Sequence, residues 1–233
     1  MDYWKNLDPN LEELAREGFV RLPPLKDFFD IEGHADRILD SVGERVFVES
    51  CDSHQNFLNE LNIQKELAPK LLALAQTRYG YKGTINNQYH IARKIGRENQ
   101  REAYRAHFDS HLFTLVLPLR VPNIETKDSR GQLIVFPRLR RHPRSEVENF
   151  LGKLWYHQYA NRKGVAKLMA SKTSFEETFE DNRPLLFLGN TNFHTNREIA
   201  DSITTNRLTL LAHFFDPSPR YGIGSFLRYV RKR

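Results

Sequence analysis

Residues 106–120, AHFDSHLFTLVLPLR, set a His-x-Asp pair directly before a nearly unbroken apolar run. An apolar run of this length, bounded by polar and turn-prone sequence, reads as a buried strand over Leu112–Leu119. Residues i and i+2 of a strand share a face, so His107 and Asp109 offer an imidazole and a carboxylate to one common space. Far downstream, the strand-like stretch LLFLGNTNFHTN supplies His194 as a third group. Two imidazoles and one carboxylate on one side of a metal leave its other side open, so a metal site is the first hypothesis.

The first third of the chain is helical in pattern. Asn10 is placed as a helix cap before Leu11, Leu14 and Ala15, with Gly18 ending the helix, and Phe19–Leu22 is a short strand stopped by Pro23 and Pro24. Helical spacing returns over 28–42 and, around Pro69, over 57–79, with a strand at 45–48 between them. After Gly83 the period changes. Residues 84–94 alternate in the manner of a strand, and 131–137, 185–188 and 207–215 are further strands, with a turn at 189–192. Residues 138–174 interrupt them as a helical insertion, opened by a Ser145-x-x-Glu148 capping pattern after Pro143. Short strands not separated by repeated long helices favour a mainly β (α+β) chain, an antiparallel jelly roll or double-stranded β-helix, over a parallel sheet. The expected organisation is one domain: helical support over 1–82, a jelly-roll core over 83–217 with the insertion at about 138–174, and a basic tail over 218–233.

Composition removes several classes. Hydrophobic residues at 39% and charged residues at 27% exclude disordered and fibrous chains. No apolar run approaches a membrane span, and MDYWKNLDPN lacks the apolar core of a secretory signal, so a cytoplasmic location is expected. Cys51 is the single cysteine, which excludes an internal disulfide and a multi-cysteine zinc site. The net charge of +6 concentrates at Arg138, Arg140, Arg141 and Arg144 and in the tail at Arg220, Arg228, Arg231, Lys232 and Arg233. Such runs are usually solvated faces, and they also suit acidic surfaces and anionic substrates.

A His-x-Asp pair alone is weak evidence. His34 and Asp36 form a second one, but on a helix i and i+2 point about 200° apart and grip one ion poorly. Without partners, His107 is an ordinary hydrogen-bonded histidine, Asp109 a turn residue and His194 a surface loop residue. Arg207 changes the balance. It opens the last apolar strand with Thr209 on the same face, and a buried arginine needs an anion whose shape its fork of donors matches. His111 and His213 read as hydrogen-bonded core residues rather than as supports of a metal. On strand 84–94 either Gln88 and His90 or Tyr89 and Arg93 face inward, and alternation leaves both open.

Three motifs occur in order: YRAHFD, RGQLIVFP, and LLFLGNTNFH followed by RLTLLAHFF. Together they resemble the Fe(II)/2-oxoglutarate-dependent dioxygenase superfamily, in its prolyl-4-hydroxylase-like branch, over about 84–215. The first is similar to the branch's Tyr-x-x-His-x-Asp, the second to its Gly-Gly-x-Leu strand with Gln132 in place of the second glycine, and the third to its distal His and co-substrate Arg. The resemblance implies that His107, Asp109 and His194 bind Fe(II) and that Arg207, helped by the Thr209 hydroxyl, holds the distal carboxylate of 2-oxoglutarate. Tyr104 is a further candidate for that carboxylate, or a core aromatic. It also implies consumption of O2, release of succinate and CO2, and hydroxylation of an unactivated C–H bond; Asp109 fills the place that the family's halogenases leave for chloride.

The expected partner is a small-molecule substrate, anionic in view of the arginine-rich insertion, with a weak acidic-membrane contact through the tail sequence FLRYVRKR. The competing readings are a non-catalytic jelly roll that binds an anionic membrane or nucleic acid through that tail, and an oxygenase that modifies protein or nucleic acid. No nucleic acid is expected, for want of an aromatic stacking platform. The joint presence of His107, Asp109, His194 and Arg207 favours catalysis.

Overall fold

The computed structural model describes residues 3–49, 51–122 and 129–217; the basic tail read from the sequence lies outside them. Helix α1 (Leu7–Glu17) starts three residues before the expected cap, with Asn6 preceding it and Asn10 inside it. Leu7 is buried with Leu11 and Leu14 and extends their stripe, and Pro9 is tolerated because first-turn N–H groups have no intrahelical acceptor. Gly18 ends the helix in a left-handed conformation (φ 87°) and leads into strand β1 (Phe19–Arg21).

Helix α2 (Ile31–Val42) begins later than the periodicity suggests, because the Asp30 side chain accepts from the Gly33 N–H and fixes the start there. Strand β2 is Phe47–Val48. Helices α3 (Asp52–Glu60) and α4 (Ala68–Tyr79) are joined by a π-turn at Ile63–Leu67, with Pro69 in the first turn of α4. Strand β3 (Gln88–Ile95) starts four residues late, after a turn in which the Asn87 N–H donates to the Thr84 carbonyl.

Strands β4 (Phe113–Arg120) and β5 (Leu133–Phe136) precede the helical insertion, which contains α5 (Glu146–His157) and α6 (Arg162–Ser171). The Ser145 side chain accepts from the Glu148 N–H, the cap expected from the sequence. Then come β6 (Phe175–Glu177), which the sequence pattern does not show, β7 (Leu185–Leu188), β8 (Phe193–Asn196) and β9 (Arg207–Phe214).

All strand pairs are antiparallel and form two sheets, of order β1-β7-β4-β9-β3-β2 and β6-β5-β8. A reciprocal pair of hydrogen bonds, each 3.0 Å, joins His107 to His194 and adds residue 107 to the free edge of β8. The jelly roll expected from the sequence is this pair of sheets.

Alternation on the large sheet separates two environments. Phe113, Leu115, Leu117 and Leu119 of β4 and Leu208, Leu210, Ala212 and Phe214 of β9 pack on one side into a core shared with α1–α4. The other side turns Thr114 and Val116 of β4, and Arg207, Thr209, Leu211 and His213 of β9, toward a cavity. Both faces of these strands are covered, which explains their nearly continuous apolar sequence.

The turn between β7 and β8 is tied to distant parts of the chain by Asn192, which is fully buried. Its Nδ2 donates to the Gly18 carbonyl and its Oδ1 accepts from the Arg138 N–H, each at 2.9 Å. Asn192→Ala leaves both backbone groups without that partner, at a cost of about 2–3 kcal/mol. Calorimetry is expected to show a melting temperature lower by roughly 5–10 °C for a chain of this size.

Candidate metal centre

His107 and His194, paired at the edge of β8, and Asp109, in the segment leading to β4, come together with one ligand atom of each within 4.8 Å of the others. Among the described residues this is the group suited to a metal ion; His34 and Asp36 diverge on α2, His34 toward Glu60 (3.0 Å) and Asp36 toward Arg120 (2.7 Å). His194 is a buried residue within β8, not the surface loop residue that its local sequence suggested. The Asp109 N–H donates to the Gly189 carbonyl at 2.9 Å. A Cβ on Gly189 would stand 2.6 Å from Thr114 Oγ1 and 2.9 Å from Asp109 Oδ2, so the close approach of the carboxylate requires glycine there.

The hydrogen bonds select the imidazole tautomer that a metal needs. His107 Nδ1 lies 2.8 Å from the Arg105 carbonyl and His194 Nδ1 lies 3.2 Å from the Asn192 carbonyl. A carbonyl only accepts, so both Nδ1 atoms carry a proton, and the tautomer of the neutral ring has its lone pair on Nε2. Those Nε2 atoms face Asp109, at 3.4 Å from Oδ1 for His107 and 3.7 Å from Oδ2 for His194. Thr114 donates to Asp109 Oδ2 at 2.5 Å, and its oxygen is then available to His213 Nδ1 at 3.1 Å.

Burial by itself would raise the Asp109 pKa, but His194, His213 and the His107 hydrogen bond outweigh it and hold the carboxyl well below the usual range. Burial pushes His194 down to about 4, which leaves the ring neutral at pH 7. An ionised carboxylate and two imidazoles with inward Nε2 atoms fit a divalent metal of the type held by two His and one carboxylate.

The centre opens into a cavity of about 710 Å³ that Arg207 and Thr209 also line. Arg207 is buried, donates from Nη1 to the Gly131 carbonyl, and lies 5.1 Å from the Phe179 ring centroid, while its buried Nε has no partner. Burial, then Arg93, push its pKa down to about 9. Arg93 is opposite Thr209 in the β3–β9 register; it donates to Asn196 at 2.9 Å and lies 3.7 Å from Glu102, and its Nε is likewise without a partner. Two adjacent guanidinium groups with unused donors make this end of the cavity a receptor for an anion.

The structure chooses between the two inward sets on β3: Tyr89 and Arg93 line the cavity, and Gln88 and His90 do not. Tyr104 is not among the lining residues. Its backbone takes a left-handed conformation (φ 55°), its hydroxyl bonds Glu198, and Arg162 lies 5.7 Å over its ring. His213 is buried and hydrogen-bonded, as expected, and its partner is Thr114 beside Asp109, from which it stands 3.8 Å. His111 contacts Tyr89 and His213 ring to ring without lining the cavity. Sequence reasoning passes over Thr114 and leaves Arg93 open; the signal for both is a polar side chain at an alternate position inside a strand.

No family model matches the chain, and no curated protein matches it. Solved structures do. A prolyl-4-hydroxylase of Pseudomonas putida is similar over 90% of this chain and 98% of its own, at 14% identity and a TM-score of 0.51. The non-heme alpha-ketoglutarate-dependent epimerase SnoN from nogalamycin biosynthesis is similar over 94% and 87%, at 14% identity and 0.55. A prolyl hydroxylase from Trichoplax adhaerens, solved with a hypoxia inducible factor oxygen degradation domain peptide, is similar over 90% and 88%, at 14% identity and 0.55. The chain has the jelly-roll fold of the non-haem, 2-oxoglutarate-dependent oxygenases.

Proposed function

We propose that this protein is an Fe(II)- and 2-oxoglutarate-dependent oxygenase that hydroxylates an unactivated C–H bond of a small, anionic substrate. The observation that carries this reading is the convergence of His107 Nε2, Asp109 and His194 Nε2 in one cavity with the buried, incompletely partnered Arg207. His107, Asp109 and His194 would hold the iron, and Arg207 with the Thr209 hydroxyl would hold the distal carboxylate of 2-oxoglutarate. When bound, iron, 2-oxoglutarate and O2 supply the oxidising power, with succinate and CO2 as co-products.

The chain's own residues then have distinct tasks. Thr114 and the Gly189 carbonyl fix Asp109, and the backbone carbonyls of Arg105 and Asn192 fix the two imidazoles. Val116, Leu133, Phe187 and Leu211 give the cavity an apolar wall that limits water near the reacting centre. Arg93, Arg105, Lys153 and Arg207 line the same cavity against only Glu102 and Asp109 as acids, which supports an anionic substrate beside the anionic co-substrate. Neither a location in the cell nor a role for Tyr104 enters this reading.

Anaerobic addition of Fe(II) and then 2-oxoglutarate to the purified protein is expected to give a weak visible absorption band that requires both. His107→Ala and Asp109→Ala are expected to abolish it, and a band unchanged in these variants overturns the assignment. Arg207→Ala is expected to keep iron binding and weaken 2-oxoglutarate by roughly 100-fold, the order lost when one partner of a buried charge pair is removed. Gly189→Ala tests the positioning of the carboxylate separately. Its Cβ displaces Asp109 or Thr114, so Fe(II) affinity should fall about tenfold or more, on the scale of lost metal-supporting contacts, while the protein remains folded.

A further inference from the structure

We infer that helix α5 is the seat of an anionic lipid bilayer on this protein. Among the described residues six large hydrophobic side chains are exposed, and five of them, Val147, Phe150, Leu151, Leu154 and Trp155, lie on α5. The sixth, Phe47, lines the cavity. The five recur at helical spacing and make one stripe, with Leu154 at 61% and Trp155 at 67% exposure. The helix buries none of its own residues. It is held instead by Tyr156, whose hydroxyl donates to the Leu139 carbonyl at 3.2 Å and whose ring packs 5.2 Å from Phe108, and by Lys153, which donates to Ser110 at 3.1 Å. An apolar stripe left in water on a helix so fixed marks an interaction surface.

Charge identifies what covers it. Residues 138–172 carry nine Lys and Arg against two Glu, a net +7 that exceeds the +6 of the whole chain. Arg141, Arg144, Lys163, Lys167 and Lys172 are exposed. A second copy of the chain would bring the same +7 against this surface. A nucleic acid would meet the cations but leave Val147, Leu151 and Leu154 in water. An anionic bilayer takes both features: the aliphatic stripe enters the acyl boundary, the cations meet headgroup phosphates, and Trp155 sits at the level an indole prefers. The contact is peripheral, since no helix of the described residues is long and apolar enough to cross a membrane. Lys153 and His157 line the cavity, so the seat is beside its rim.

The inference does not rest on the oxygenase reading, and its test needs neither metal nor turnover. The full-length protein is mixed with phosphatidylcholine vesicles with or without about one-third phosphatidylglycerol and separated by flotation. The chain has two tryptophans, and only Trp155 is exposed while Trp4 is buried, so quenching by lipids brominated on the acyl chain reports α5 itself. The expected result is flotation with the anionic vesicles only, quenching of the exposed tryptophan, and binding weakened roughly tenfold or more in the Leu151→Ser, Leu154→Ser double variant. Both leucines are exposed, so the variant should keep the parent melting temperature. Absence of binding, binding without quenching, or equal binding by the double variant overturns the inference. So does a dimer that these substitutions disperse, or capture of nucleic acid in preference to vesicles.

Discussion

The site depends on one ionised carboxylate kept out of water. Asp109 is buried, and a buried charge is costly unless hydrogen bonds and opposite charge surround it. The Thr114 hydroxyl on β4 donates to it, the His213 ring on β9 stands 3.8 Å away, and the His107 and His194 rings flank it. Its own N–H donates to Gly189 in the β7–β8 turn. Each partner is in reach only if the two sheets close over one another in this register. The same arrangement sets two imidazole Nε2 atoms beside the carboxylate, a group whose charge a divalent cation would offset.

A second electrostatic load sits on the same strands. Arg93 and Arg207 are neighbours on β3 and β9, each with a buried Nε that lacks a partner, and burial lowers the pKa of both. Unlike Asp109, these cations are not fully compensated by protein groups. The folded chain therefore carries a cost here that a bound anion would remove, which is the usual relation between local instability and a binding site. The opposite faces of β4 and β9 bury an apolar core against four helices, and burial of that size offsets the cost of a polar interior face.

The sequence is legible where one physical rule dominates locally. The apolar runs of β4 and β9 have no other reading, and i, i+2 alternation is enough to put His107 and Asp109 on one face. Local signals mislead where tertiary contacts outvote them. Strand β6 contains two glutamates and no strand pattern, yet Glu177 is buried because Arg21 reaches it at 2.6 Å. Asn10 resembles a cap, but burial of Leu7 draws the start of α1 past it. Tyr104 matches a motif position, and its left-handed backbone, invisible in a motif, turns the ring toward Glu198 and Arg162. His213 reads as core because a buried histidine usually finds a local partner; its actual partner, Thr114, is 99 residues away in sequence.

The helical insertion is packed onto the candidate metal centre through an aromatic cluster. Phe108, between His107 and Asp109, and Phe193, beside His194, belong to an apolar cluster with Val165 and Leu168 of α6 and also line the cavity. Those two rings pack 5.0 Å apart and receive Tyr156 of α5 at 5.2 and 5.6 Å. Arg140 lies 4.0 Å over the Phe108 ring and donates to the Asn190 carbonyl in the β7–β8 turn at 2.8 Å. The insertion is thus packed against residues that neighbour the three candidate ligands in sequence. Displacement of α5 would press on Phe108 and Phe193, and through them on the residues that flank them in sequence. The aromatic layer beside the candidate ligands makes the surface of the insertion and the geometry of the candidate centre parts of one packed unit, not separable modules.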